Sequence, residues 1–185
     1  VEDTRLNLIS NFGNAFYAHS SYLNFYTPVV DCTSEYSCFS LEDSSLNIDL
    51  SDNYEGPFEV TSNNGSAFFF QTTTANIRRA TVNCISSNSC INLDKSNLFT
   101  DRLTLDLDTA ENAITGMNNS YLKLDNSYFG CPSGNGWPGC LHVSYNSVLQ
   151  FNSSTVETIN TVGLEAQWNS NIQLNNGTVT RNDQG

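Results

Sequence analysis

The sequence predicts an all-β, single-domain parallel β-solenoid over residues 1–185. Three observations predict it. First, VDCTSEYSCFSLEDSSL (30–46) and VNCISSNSCINLDKSNL (82–98) are near-twins, and 5–20 lies over 57–72 in the same register, so the match runs without a gap at an offset of 52. Second, a shorter phrase recurs, with Ser or Thr two places before Leu and an apolar residue two places after it. Its Leu-equivalent positions are 23, 46, 75, 98, 122, 149 and 172, separated by 23, 29, 23, 24, 27 and 23 residues. Third, apolar residues alternate over short runs split by Asn, Ser, Gly and Asp, and no run of 10 to 12 residues sustains a helical period.

Each coil then reads as three short strands. The first strand carries the recurring phrase, with coils starting near 21, 44, 73, 96, 120, 147 and 170. A looser middle strand falls at Val29-Val30, Val82, Leu103/Leu105 and Val156. The final strand presents Phe16/Ala18, Phe39/Leu41, Phe68/Phe70, Ile91/Leu93, Leu141/Val143 and Leu164/Ala166. Successive side chains on a strand face opposite sides, and coils stack at about 4.8 Å, so like residues pile on like. About seven coils of roughly 23 to 29 residues result, with a core of Leu, Ile and Phe ladders. An antiparallel sandwich also accounts for short strands, but not for gapless self-similarity.

The cysteines fall between middle and final strands on alternate coils. A Cys32–Cys84 bridge would cross two coils, about 9.6 Å, beyond the roughly 7 Å limit for bridged Cα atoms. The expected pairs are therefore Cys32–Cys38, Cys84–Cys90 and Cys131–Cys140, each closing a corner. A zinc site is not expected, since there is no CxxC and the chain has only two histidines, His19 and His142.

Charge narrows the partners. Acidic residues outnumber basic ones 19 to 7, for a net charge of −12. Nucleic-acid backbones, which need clustered Lys and Arg, and anionic membrane surfaces are disfavoured. No apolar run approaches the roughly 18 residues of a membrane span. No secretory leader precedes Val1, which fits a mature chain or a fragment. Sequons at Asn64, Asn118, Asn152 and Asn176, together with three local cysteine pairs, point to an extracellular or cell-surface glycoprotein bearing N-linked glycans.

The coil length and ladder pattern resemble the right-handed parallel β-helix of the pectin-lyase-like superfamily over most of the chain. The phrase V-x-C-x-S-x-x-S-C-x-x-L, running from Val82 to Leu93, resembles cysteine-bearing β-helix repeats in surface and appendage proteins of microbial eukaryotes. The first resemblance implies right-handed coiling and acidic polysaccharides as substrates, cleaved with aspartate clusters that hold calcium or with aspartates beside His, Arg or Lys. The second implies structural or adhesive roles. Residue by residue, the catalytic carry-over fails. Asp49 and Asp101 align 52 apart and Asp106/Asp108 alternate, yet no base is placed beside them. Arg78 and Arg79, adjacent on a strand, are expected on opposite faces, and His142 is expected to face outward at the surface. No catalytic residue, metal or cofactor is assigned.

Tyr145 and Trp168 occupy equivalent places in successive coils. They either cover each other and the adjacent edge or offer a stacked surface to a sugar or a neighbouring subunit. Trp137, in SGNGWPG, is either the lid of its own loop or a surface contact. The isolated run Thr72-Thr73-Thr74 lacks the regular Thr-x-Thr column of an ice-binding solenoid. Both ends of the chain fall within a coil, and bare strand edges template pairing. A head-to-tail contact that does not close grows a filament. The expectation is a non-enzymatic extracellular structural protein, homo-oligomeric through end-to-end stacking into a filament or appendage. The alternative is an enzyme acting on polysaccharide, or a carbohydrate-binding or adhesion module.

Overall fold

The computed structural model describes residues 5–11, 13–25, 29–49, 58–85, 89–107, 112–131, 139–159 and 162–181. These residues form a parallel β-solenoid with three faces and no helix. The first face stacks Tyr22–Phe25, Ser45–Asp49, the first half of Thr74–Cys84, the first half of Asn97–Leu107, Tyr121–Asp125, Val148–Asn152 and Asn171–Asn175. The second stacks Arg5–Ser10, Val29–Ser34, Phe58–Ser62, the second halves of the two long strands, Tyr128–Cys131, Thr155–Thr158 and Thr178–Arg181. The third stacks Phe16–His19, Ser37–Glu42, Ser66–Gln71, Ile91–Asp94, Ile114–Met117, Leu141–Val143 and Leu164–Ala166 into a 7-stranded sheet. From the first to the last strand of that sheet the chain completes about six turns.

The recurring Leu is the central column of the first face. Leu23, Leu46, Ala75, Leu98, Leu122, Leu149 and Ile172 are consecutive register partners. The next inward position gives Phe25, Ile48, Ile77, Thr100, Leu124, Phe151 and Leu174. On the third face Phe16, Phe39 and Phe68 stack with ring centroids 5.7 and 5.3 Å apart, so the aromatic column contributes ring packing beyond its buried area. Three inward stretches lack a counterpart in the sequence reading: Phe58/Val60 and Phe129 on the second face, and Ile114–Met117 on the third.

Two corners are built from left-handed residues. One joins the third face to the first through Ser20, Asp43, Thr72 and Lys95, then through pairs such as Asn118-Asn119 and Tyr145-Asn146. The other joins the first face to the second through Arg79, Arg102, Asn126, Ser153 and Asn176. This geometry corrects one expectation. Positive φ at Arg79 resets the alternation, so Ala75, Ile77, Ala80 and Val82 point inward while Arg78 and Arg79 both stay out of the core.

After the first corner the Ser of the recurring phrase turns inward, and its backbone amide can no longer pair as a strand. The hydroxyl of the next coil accepts it. Ser21 N donates to Ser44 Oγ at 3.1 Å, Thr73 N to Ser96 Oγ at 3.0 Å, Ser96 N to Ser120 Oγ at 3.2 Å, Ser120 N to Ser147 Oγ at 3.0 Å and Ser147 N to Ser170 Oγ at 3.1 Å. Several of these hydroxyls donate in turn to a carbonyl two residues back, as Ser44 does to Glu42 and Ser96 to Asp94. The second corner repeats the device, with Leu103 N donating to Ser127 Oγ and Ser127 N to Ser154 Oγ.

The third corner carries the cystines. Cys32–Cys38, Cys84–Cys90 and Cys131–Cys140 are bonded, with Cα atoms 5.9, 5.8 and 6.0 Å apart. Cys32 is in register with Ser62, and Ser62 with Cys84, which places the two cystines on alternate turns. On the intervening turn Ser62 Oγ donates to the Gly65 carbonyl at 2.6 Å. A side chain at Gly65 would strike the Tyr36 carbonyl, so this crossing admits only glycine.

Removing the Phe68 ring from its column should cost about 3–5 kcal/mol in urea unfolding. Replacing Ser96 by Ala should cost about 1–3 kcal/mol by orphaning the buried Thr73 amide. The exposed Thr104→Ala should stay within about 0.5 kcal/mol of the parent.

Candidate functional site

The outward side of the third face is a single column: Tyr17, Ser40, Phe69, Asn92, Thr115, His142 and Glu165 in consecutive register. An outward strand face ordinarily lies open to water, but Ser40, Thr115 and His142 are buried. Beside them runs a cleft of about 610 Å³, floored by Ser40, Phe69 and Asn92 and edged by Asn14, Glu35 and Tyr36. Glu35 is the one charged side chain in its described lining. Asn92 Nδ2 donates to Ser66 Oγ at 2.7 Å, and Ser66 in turn donates to the Ser89 carbonyl, so the floor is a preset amide and hydroxyl network. Amides, hydroxyls and two aromatic rings can hold a neutral, hydroxyl-rich ligand.

His142 is corrected by the structure. It lies on the outward column but is only 7% exposed, and among the described residues neither ring nitrogen has a hydrogen-bond partner. Burial pushes its imidazole below the ordinary histidine range, against the opposing pull of Glu165 on the next turn. A surface position was expected because alternation reports which side of a sheet a residue takes, not what covers that side.

The aligned aspartates are placed more closely than the sequence suggests. Asp49 and Asp101 are the two register partners of Arg78, one turn to either side. Arg78 Nη2 lies 3.8 Å from Asp101 Oδ2, and Arg102 Nε lies 3.3 Å from the same oxygen. The Asn126 amide donates to Asp101 Oδ1 at 3.0 Å. That hydrogen bond, with the two guanidinium groups, holds the Asp101 carboxyl below the usual carboxylate range against a smaller opposing effect of burial. A carboxylate stabilised in its charged form can accept from an amide or pair with a cation but is a poor proton donor.

Tyr145 and Trp168 stack with centroids 4.4 Å apart and planes 15° from parallel. Each remains about half exposed, so they cover one face of each other and leave the other faces to solvent. Trp137 lies outside the described residues. The four sequons divide. Asn64 and Asn176 are exposed at corners. Asn118 Nδ2 donates to Asp94 Oδ1 at 2.7 Å, and Asn152 Nδ2 donates to Asp125 Oδ1 at 2.6 Å while its own oxygen accepts from Asn175 at 2.8 Å. Those two asparagines serve as inter-turn ties on the surface.

Comparison with family models, with curated proteins and with solved structures finds no match.

A buried imidazole kept neutral stabilises the fold above the unfolded-state pKa of about 6.5 and loses that contribution as pH falls toward its lowered folded value. Between pH 7 and 5 the unfolding free energy of the parent should fall more steeply than that of His142→Thr. The difference should not exceed about 1.4 kcal/mol per pH unit, measured by urea titration at each pH.

Proposed function

We propose that this chain is a non-enzymatic extracellular structural protein whose copies stack end to end into a filament or appendage. The observation that carries the reading is the outermost described turn. Its core-facing side chains Leu174 and Val179 are 54% and 44% exposed, whereas their counterparts Phe151 and Val156 one turn inward are wholly buried. The strands Asn171–Asn175 and Thr178–Arg181 are paired on one side only among the described residues. At the other end Phe16, Leu23 and Phe25 are only partly buried, and Phe25 begins the column that Leu174 ends. A second copy could therefore continue both the hydrogen-bond ladder and the apolar ladder. Three cystines fit an oxidising compartment, and a net charge of −12 opposes sideways clumping. The Asp101 carboxyl is engaged by the Asn126 amide and by the guanidinium groups of Arg78 and Arg102, which fits an inter-turn tie on the outer surface.

The polar cleft favours a second reading, a carbohydrate-binding module on a pectin-lyase-like β-helix, in which Tyr36 and Phe69 meet sugar faces and Asn14 and Asn92 meet hydroxyls. An enzyme acting on acidic polysaccharide would instead turn over polygalacturonate with calcium and lose that turnover in Asp101→Asn.

Negative-stain microscopy and sedimentation of the purified chain at rising concentration test the leading reading. Filaments are expected with an axial repeat of about 34 Å, seven stacked strands at about 4.8 Å each. Leu174→Lys with Val179→Lys should abolish them while leaving the circular dichroism unchanged. Dispersed monomers at the highest concentrations would sink it.

A further inference from the structure

At the corner where the first described turns meet, three side chains of complementary ligand chemistry converge. His19 and Glu42 are register partners on adjacent turns, and Asp43 follows at the left-handed corner position. His19 Nδ1 lies 3.7 Å from Glu42 Oε2 and 3.9 Å from Asp43 Oδ2, and the ligand atoms of all three fall within 4.8 Å of one another. From this convergence we propose that His19, Glu42 and Asp43 bind a divalent ion of the zinc class, with solvent completing its coordination.

The distances suit such an ion. Ligands about 2.0–2.2 Å from a tetrahedral zinc lie roughly 3.3–3.6 Å apart, so closure requires movements of a few tenths of an ångström for the histidine pairs and somewhat more between the carboxylates. All three side chains are partly solvent-exposed and can make that movement. The imidazole decides the metal class: one nitrogen with two carboxylates suits zinc, nickel or copper, whereas calcium and magnesium prefer oxygen alone. An outer support is present too. The Tyr17 hydroxyl donates to Glu42 Oε2 at 2.6 Å, fixing that carboxylate, as partners of metal ligands do.

General acidity of the chain does not account for the cluster. Three other outward carboxylates of the inter-turn ladders are occupied by amides or cations: Asp94 by Asn118, Asp101 by Asn126 and two arginines, and Asp125 by Asn152 and Lys123. Glu42 and Asp43 instead face an imidazole, and among the described residues this is the one group of three such side chains that could hold a metal ion. A bound ion would tie the two turns together at their outer corner.

Isothermal titration of the folded chain with zinc chloride, with calcium chloride in parallel, tests the site. One zinc per chain is expected and no calcium. His19→Ala should weaken zinc binding at least tenfold, and Asp43→Asn several-fold, with unchanged circular dichroism. The chain has 2 histidines, so the imidazole spectrum identifies the ligand: zinc should shift the His19 ring resonances and leave those of buried His142 in place. Absence of zinc binding, binding that survives His19→Ala, or calcium binding with comparable strength would each overturn the proposal.

Discussion

A backbone that turns a corner inside a protein must still find partners for its amides, and this requirement organises the whole solenoid. Where the chain passes from one face to the next, left-handed residues swing it round, and the amide that follows leaves the strand ladder. Ser44, Thr73, Ser96, Ser120 and Ser147 meet that need from the adjacent turn, a hydroxyl accepting from one amide while several donate onward to a carbonyl. A buried unpaired amide costs as much as several methyl groups gain, so these hydroxyls are as constrained as the leucines that follow them. The serine–leucine phrase is thus one physical unit: the serine closes the corner and the leucine fills the space the corner creates.

That coupling explains how much of the fold was legible. Leu23, Leu46, Ala75, Leu98, Leu122 and Leu149 recur in step because each sits on the last, and the cystine pairs follow because register forbids any longer bridge. Strands whose apolar signal was diluted were missed. Ile114–Met117 carries Gly116 at its second inward position, where any side chain would collide with Leu122. The reset at Arg79 was equally hidden, since a left-handed arginine leaves no compositional mark.

The surface was far less readable, for a different reason. Its groupings are made by residues about one turn apart, such as His19 with Glu42, Asp101 with Asn126 and Tyr145 with Trp168. Once the register is fixed these neighbours can be written down, but an uneven turn length, 23 residues here and 29 there, scrambles them until every corner is placed. Burial of His142 is one step further removed, because it depends on what lies over the sheet. Core columns follow from repetition, whereas outer clusters follow from repetition and loop length together.

The cystines have a mechanical consequence. Each closes a short stretch of its own turn, six or nine residues in span, and none ties one turn to another. Under a pull along the axis, covalent bonds would therefore remove only a few residues of slack apiece from the extensible length. Resistance to stretching would rest on shearing or peeling the turns in succession, and the molecule would yield in small steps, like a coil paid out ring by ring with a knot in every second ring.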